Sequence, residues 1–91
     1  MPKHTLQHFE LHVLLAMLRE RDETYSVPLV LALERRMGRP VSQAAVFIAL
    51  KRLERKGLVL SRLDEPDERR PRRYFRVTRQ GLDRVLKALK A

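Results

Sequence analysis

Residues Val41–Asp64 read VSQAAVFIALKRLERKGLVLSRLD, and the apolar spacing in this stretch changes once, at Gly57. Before the glycine, Val46, Ala49, Leu50 and Leu53 recur at helical intervals and form one stripe. Ser42 stands where an N-cap is needed and Gly57 where a helix must stop, so the spacing predicts a helix from Ser42 to Lys56. After the glycine, Leu58 to Asp64 is an extended, apolar-rich run. A loop with two prolines follows, EPDERRPR, and then RYFRV, Arg73 to Val77. This second strand has Phe75 and Val77 on one side, and Tyr74 and Arg76 on the other. A lone hairpin is marginally stable, so this one must pack on helices.

The flanking sequence supplies those helices. From Leu6 to Leu18, the residues Leu11, Leu14, Leu15 and Leu18 recur at helical spacing, and RERDET then breaks the pattern as a polar turn. A second helix is expected from Ser26 to Met37, with Ser26 as N-cap, Pro28 in the first turn and Gly38 at the end. MGRPV joins it to the third helix, which makes a helix-turn-helix. Beyond the hairpin, Thr78 is placed to cap a last helix carrying Leu82, Val85, Leu86 and Leu89 at i, i+3, i+4 and i+7. The expected fold is mainly α with a two-stranded β-hairpin. It is a winged helix-turn-helix over residues 1–78, followed by a C-terminal dimerisation helix over 79–91. A core of this size covers only part of the Leu82, Val85, Leu86, Leu89 stripe, so a second copy of the chain is expected to cover the rest.

The chain has 91 residues, enough for one small domain with a modest core. It is 44% hydrophobic and 34% charged, a balance that favours folding over disorder. It has no cysteine, which removes disulfides and thiolate metal sites. Neither a signal peptide nor a long apolar span is read, and a cytoplasmic protein is expected. The net charge of +9 and a sequence pI near 11.1 attract polyanions, nucleic acid first.

The placement of that charge selects a surface. Opposite the core stripe of the third helix lie Ala44, Ile48, Lys51, Arg52 and Arg55, with Gln43 and Phe47 on the flank near its start. Glu54 is the only acid on the helix, whereas an idle solvated face normally alternates acids and bases. Gln43 can pair with adenine N6 and N7 in a major groove, and Ala44 or Ile48 can meet a thymine methyl. Lys51, Arg52 and Arg55 can hold phosphates or read guanine. The wing brings Arg70, Arg72 and Arg73, whose planar forks suit phosphate or a narrow minor groove. Glu65, Asp67 and Glu68 are expected to pair locally with arginines of the wing. The expected partner is double-stranded DNA, contacted also by the capping Ser42.

Ser42, Val46, Phe47, Leu50, Leu53, Gly57-Leu58-Val59, the arginine wing, Tyr74-Phe75 and Thr78-x-x-Gly81 together resemble the PadR family of bacterial transcriptional regulators. The resemblance extends from about Phe9 to Leu89. It implies a homodimeric repressor acting on a pseudo-palindromic operator, as two-fold symmetry requires. It also implies a small aromatic or hydrophobic effector, of unspecified identity, for some members. There are three departures from the family pattern: Phe47 replaces a tyrosine, Ile48 a proline, and Ser26-Val27 a Gly-Tyr pair.

Other readings compete with this one. His4, His8 and His12 share one helical stripe, yet their pattern is not the H-E-x-x-H of a zinc protease, so no metal or other cofactor is expected. The chain has no Gly-rich phosphate loop and no core-placed carboxylate pair, so no enzyme is expected. The main alternative is a protein-docking winged helix that buries Phe47 and Ile48 against a partner.

Overall fold

A computed structural model of the chain describes residues 6–20, 23–64 and 71–90. Among them the order is α1 (His8–Arg19), α2 (Ser26–Met37), α3 (Gln43–Arg55), β1 (Val59–Asp64), β2 (Arg72–Val77) and α4 (Arg79–Lys90). The strands pair antiparallel, in a register that runs from Val59 opposite Val77 to Asp64 opposite Arg72. This is the expected three helices, hairpin and last helix, with element ends within one or two residues of the predicted ones. No helix among the described residues is long and apolar enough to cross a membrane.

The predicted stops work through specific bonds. Gly38 takes φ 68° and its N–H donates to the Glu34 carbonyl. Gly57 takes φ 78°, a region costly for any residue with a Cβ. Its N–H donates to the Glu54 carbonyl, while the Leu58 N–H donates to the Leu53 carbonyl. These two bonds close α3 with a Schellman motif, and the buried Leu53 and Leu58 supply its apolar contact. At the other end of α3, the Ser42 hydroxyl accepts from the Ala45 N–H at 3.2 Å, as a cap should. The turn between α2 and α3 is tied by Glu34, whose carboxylate accepts from the Val41 N–H at 3.0 Å.

Ser26 is not a cap. Tyr25 occupies that position, Ser26 is the first helical residue, and the Ser26 hydroxyl meets Gln43 instead. The core-facing side of α1 also differs from the simplest leucine pattern. Val13, Leu14, Ala16 and Met17 are buried, whereas Leu11 and Leu15 are half-buried and Leu18 is exposed. Glu10 shares the buried side. One carboxylate oxygen accepts from Lys56 Nζ at 2.6 Å and from the Gln7 N–H at 3.0 Å. A charge in the core stripe breaks the apolar pattern, and its partner lies 46 residues away.

The core is completed by Leu29 and Leu33 of α2, the α3 stripe Val46, Ala49, Leu50 and Leu53, then Leu58, Val59, Phe75 and Val85. Thr24 precedes α2 and pairs with the outer edge of β2: its N–H donates to the Phe75 carbonyl at 3.0 Å, and the Phe75 N–H donates back at 2.8 Å. The polar turn thus ends in a one-residue bridge.

Thr78 joins three elements. Its N–H donates to the Leu58 carbonyl, its hydroxyl donates to the Gly57 carbonyl at 2.8 Å, and that hydroxyl accepts from the Gly81 N–H at 3.0 Å. Gly81 is buried, and a Cβ there would sit 2.2 Å from the Leu58 carbonyl oxygen. Alanine in a helix is ordinarily about 1 kcal/mol better than glycine. Here the backbone clash outweighs that gain, and Gly81→Ala is expected to destabilise the protein by about 1–3 kcal/mol in denaturant unfolding. A stabilised variant would contradict the close contact.

Candidate nucleic-acid interface

The sequence-predicted residues of α3 do share one outer surface. Ser42, Gln43, Ala44, Phe47, Ile48, Arg52 and Arg55 are exposed and Lys51 is half-buried. Phe47 and Ile48 leave 43% and 52% of their surface open, an adjacent pair of large apolar groups on this mostly polar face. Phe47 stands edge-on to the buried Phe75, with ring centroids 6.4 Å apart, and the Lys51 ammonium lies 6.0 Å from the Phe47 ring. Arg52 reaches across to α1, donating to Gln7 Oε1 at 3.5 Å.

At the start of α3 the Gln43 amide donates to the Ser26 hydroxyl at 3.0 Å. The long glutamine side chain is therefore steadied by the first residue of α2. Among the described residues no other bond engages its second amide hydrogen or its carbonyl oxygen, which leaves both to address a group outside.

The wing arginines separate into two roles. Arg72 is exposed, and its guanidinium stacks 4.3 Å from the Tyr25 ring. Tyr25 meets Tyr74 edge-on at 5.5 Å, and Arg62 lies 4.9 Å over the other ring of that pair, Tyr74. Arg62 ends the row with a two-pronged bond to Glu23, both at 2.8 Å. The hydrogen bond from Arg62 holds the Glu23 carboxyl below the ordinary carboxylate range. Arg73 is half-buried and is committed inside the protein, donating to the Ser61 hydroxyl at 3.0 Å, which in turn donates to Glu54 at 2.6 Å. Arg70, with Arg69, Glu65, Asp67 and Glu68, lies outside the described residues.

Between the starts of α2 and α3 and the wing runs an open cleft of about 590 Å³, lined among others by Tyr25, Ser26, Gln43, Phe47, Arg72 and Arg73. The Tyr25–Tyr74 pairing and the Ser26–Gln43 bond were not legible in advance, because both depend on the bridge at Thr24. Among the described residues no group of three or more histidines, cysteines or carboxylates stands close enough to hold a metal ion; His4 lies outside them.

A family model described as the transcriptional regulator PadR-like family matches residues 14–87. The chain belongs to this family. Solved structures agree with the PadR-like fold. A PadR family transcriptional regulator from Eggerthella lenta is 28% identical, with 90% of this chain and 75% of that one covered and a TM-score of 0.71. RosR of H. salinarum is 26% identical over 98% of this chain and 76% of its own, with a TM-score of 0.78. Bacillus subtilis PadR in complex with operator DNA is 13% identical, over 91% of this chain and 47% of its own, with a TM-score of 0.78; at that identity the likeness concerns the fold. No curated protein matches the PadR-like chain.

The different settings of the wing arginines give a direct test. Arg73→Ala leaves the Ser61 hydroxyl without its guanidinium donor, and is expected to lower stability by about 1 kcal/mol. Arg72→Ala removes an exposed stacked group and is expected to change stability by less than about 0.5 kcal/mol. Equal losses in urea unfolding would contradict the assignment.

Proposed function

We propose that this chain binds double-stranded DNA sequence-specifically as a homodimer and represses transcription from a pseudo-palindromic operator. The observation that carries the reading is the outer face of α3, which is exposed, basic and led by a glutamine braced from α2. In this reading Gln43 reads a base edge from the first turn of α3, with Ala44 and Ile48 beside it for a thymine methyl. Ser42, Lys51, Arg52 and Arg55 address the backbone or guanine. Arg72, stacked on Tyr25, reaches a flanking phosphate or narrow minor groove, and by its place in the sequence Arg70 is assigned the same role. Arg73 serves chiefly to stiffen the base of the wing. The DNA-bound structure of Bacillus subtilis PadR, a protein of this fold, supports the choice of partner.

The dimer rests on α4. Val85 is buried in the protomer's own core, so it drops out of the proposed dimer contact. Leu82, Leu86 and Leu89 remain 42%, 48% and 61% exposed on the same helix. α4 packs against α1, where Leu11 and Leu15 are half-buried and Leu18 is exposed. An apolar surface of this kind suits a second copy of the chain. Leu86→Glu is expected to give a folded monomer, because Leu86 contributes little to the protomer's core. Sedimentation showing the parent chain itself as a monomer at tens of micromolar would end the dimer reading.

The exposed Phe47–Ile48 pair favours one second reading, a winged helix that docks on protein. DNA titrations decide between them. Gln43→Ala should cost about 1–3 kcal/mol on a site selected from random duplexes and much less on random duplex. Ser26→Ala should show the same pattern at smaller size. Log affinity should fall against log salt with a slope near −0.9 per phosphate contact. Absence of duplex binding at low salt would favour docking, and equal loss on both duplexes would remove α3 as the reader.

A further inference from the structure

His8 and His12 lie one turn apart on α1, their rings edge to face with centroids 4.6 Å apart and their Nε2 atoms 3.1 Å apart. Arg36 of α2 donates from Nε into His12 Nδ1 at 3.2 Å. A guanidinium N–H only donates, so His12 Nδ1 presents a lone pair. Neutral His12 therefore carries its proton on Nε2 and donates it to His8 Nε2, which leaves the His8 proton on Nδ1. The row has no room for another proton. A proton on His8 Nε2 would face the His12 N–H, and one on His12 Nδ1 would face Arg36.

The surroundings are one-signed. The titratable and charged groups facing His12 are His8 on its own helix, Arg36 on α2 and Arg39 in the turn that follows; burial, then these three, hold His12 below the ordinary histidine value. α3 approaches the same end of α1 through Arg52 on Gln7. The acids of α1, α2 and α3 are engaged elsewhere: Glu10 with Lys56, Glu34 with the Val41 N–H, and Glu54 with Ser61 and Lys51. The arrangement also disfavours a metal, because a ligating histidine donates its other N–H to an acceptor, whereas His12 Nδ1 receives a donor.

Gln7, the residue before His8, is the one Arg52 touches, which brings the start of α1 beside a basic residue of α3. We propose that His8, His12, Arg36 and Arg39 form a proton-linked site for a DNA-backbone phosphate flanking the groove read by α3. When a proton enters, the rings part and their N–H groups turn to the phosphate oxygens, which supply the acceptors the row lacks. This rests on the DNA-binding reading above. In the free protein the sign is opposite. His12 is depressed in the folded state, so its protonation favours unfolding: stability is full above the ordinary histidine value and declines as pH falls through it.

The test is duplex affinity by fluorescence anisotropy at constant salt, with a chelator present, from pH 8 to pH 5.5. Affinity is expected to rise roughly threefold to tenfold as the pH falls, and the His8→Gln, His12→Gln double variant should lose that rise. A pH-independent affinity, or a rise that survives in the double variant, would overturn the site and leave the DNA reading intact. The second arm follows the ring protons of His8 and His12 by NMR in the parent chain, with inorganic phosphate alone and with a short duplex. A titration midpoint raised by the duplex, with or without an effect of inorganic phosphate, supports the backbone site. A midpoint raised by inorganic phosphate alone overturns the backbone assignment, and no change with either overturns the site. Failure to bind duplex at any pH would instead count against the function proposed above.

Discussion

Phe75 sits where strand β2 is held on both of its edges, and the placement of the whole outer surface depends on this. On one side the strand is paired with β1, Phe75 lying opposite Ser61, and on the other Phe75 exchanges two hydrogen bonds with Thr24. Its ring is buried and meets Phe47 of α3. The hairpin, the start of α2 and the flank of α3 are thereby fixed relative to one residue. Tyr25 and Ser26 follow Thr24 directly, so the same bridge carries the aromatic platform under Arg72 and the hydroxyl beside Gln43.

The chain uses its acids as internal fasteners. Glu10 ties α1 to the end of α3, Glu34 ties the turn, Glu54 braces the wing through Ser61, and Glu23 neutralises Arg62. Of these, Glu10 is the most demanding, because one of its carboxylate oxygens is buried with no hydrogen-bond partner among the described residues. Losing Lys56 would leave that buried charge uncompensated, which typically costs about 3–5 kcal/mol. The first three helices carry one acid each, all tied into the fold; Glu54 also meets Lys51 at 3.7 Å, so the positive charge of the outer face comes mainly from Arg52 and Arg55.

Much of the architecture was legible because it is local. The Ser42 cap, the left-handed glycines at 38 and 57, the α3 stripe and the alternation in β2 each need only a few neighbouring residues. What was missed is long-range. A single-residue bridge at Thr24 has no periodicity to detect. Glu10 sits in the core stripe because of a lysine 46 residues away, so α1 looked rotated toward its leucines. Ser26 has the composition of a cap, yet its partner is on another helix. Arg72 and Arg73 are adjacent and chemically identical; only the strand's alternation sends one to Tyr25 and the other to Ser61. Val85 and Leu86 differ in the same way on α4, one turned to the core and one away from it.

The junction at Thr78 and Gly81 has a geometric consequence for an assembly of two chains. Backbone touches backbone there, with Gly81 against the Leu58 carbonyl and Thr78 bonded to both ends of the α3–β1 corner. Little play is left between α4 and the helix proposed to enter the groove. In a pair joined through α4, the tilt of that helix would fix how far apart, and at what rotational phase around a duplex, the two copies of α3 arrive. The distance between operator half-sites, about one helical turn or a multiple of it in two-fold regulators, would then be set by a glycine that never approaches the DNA.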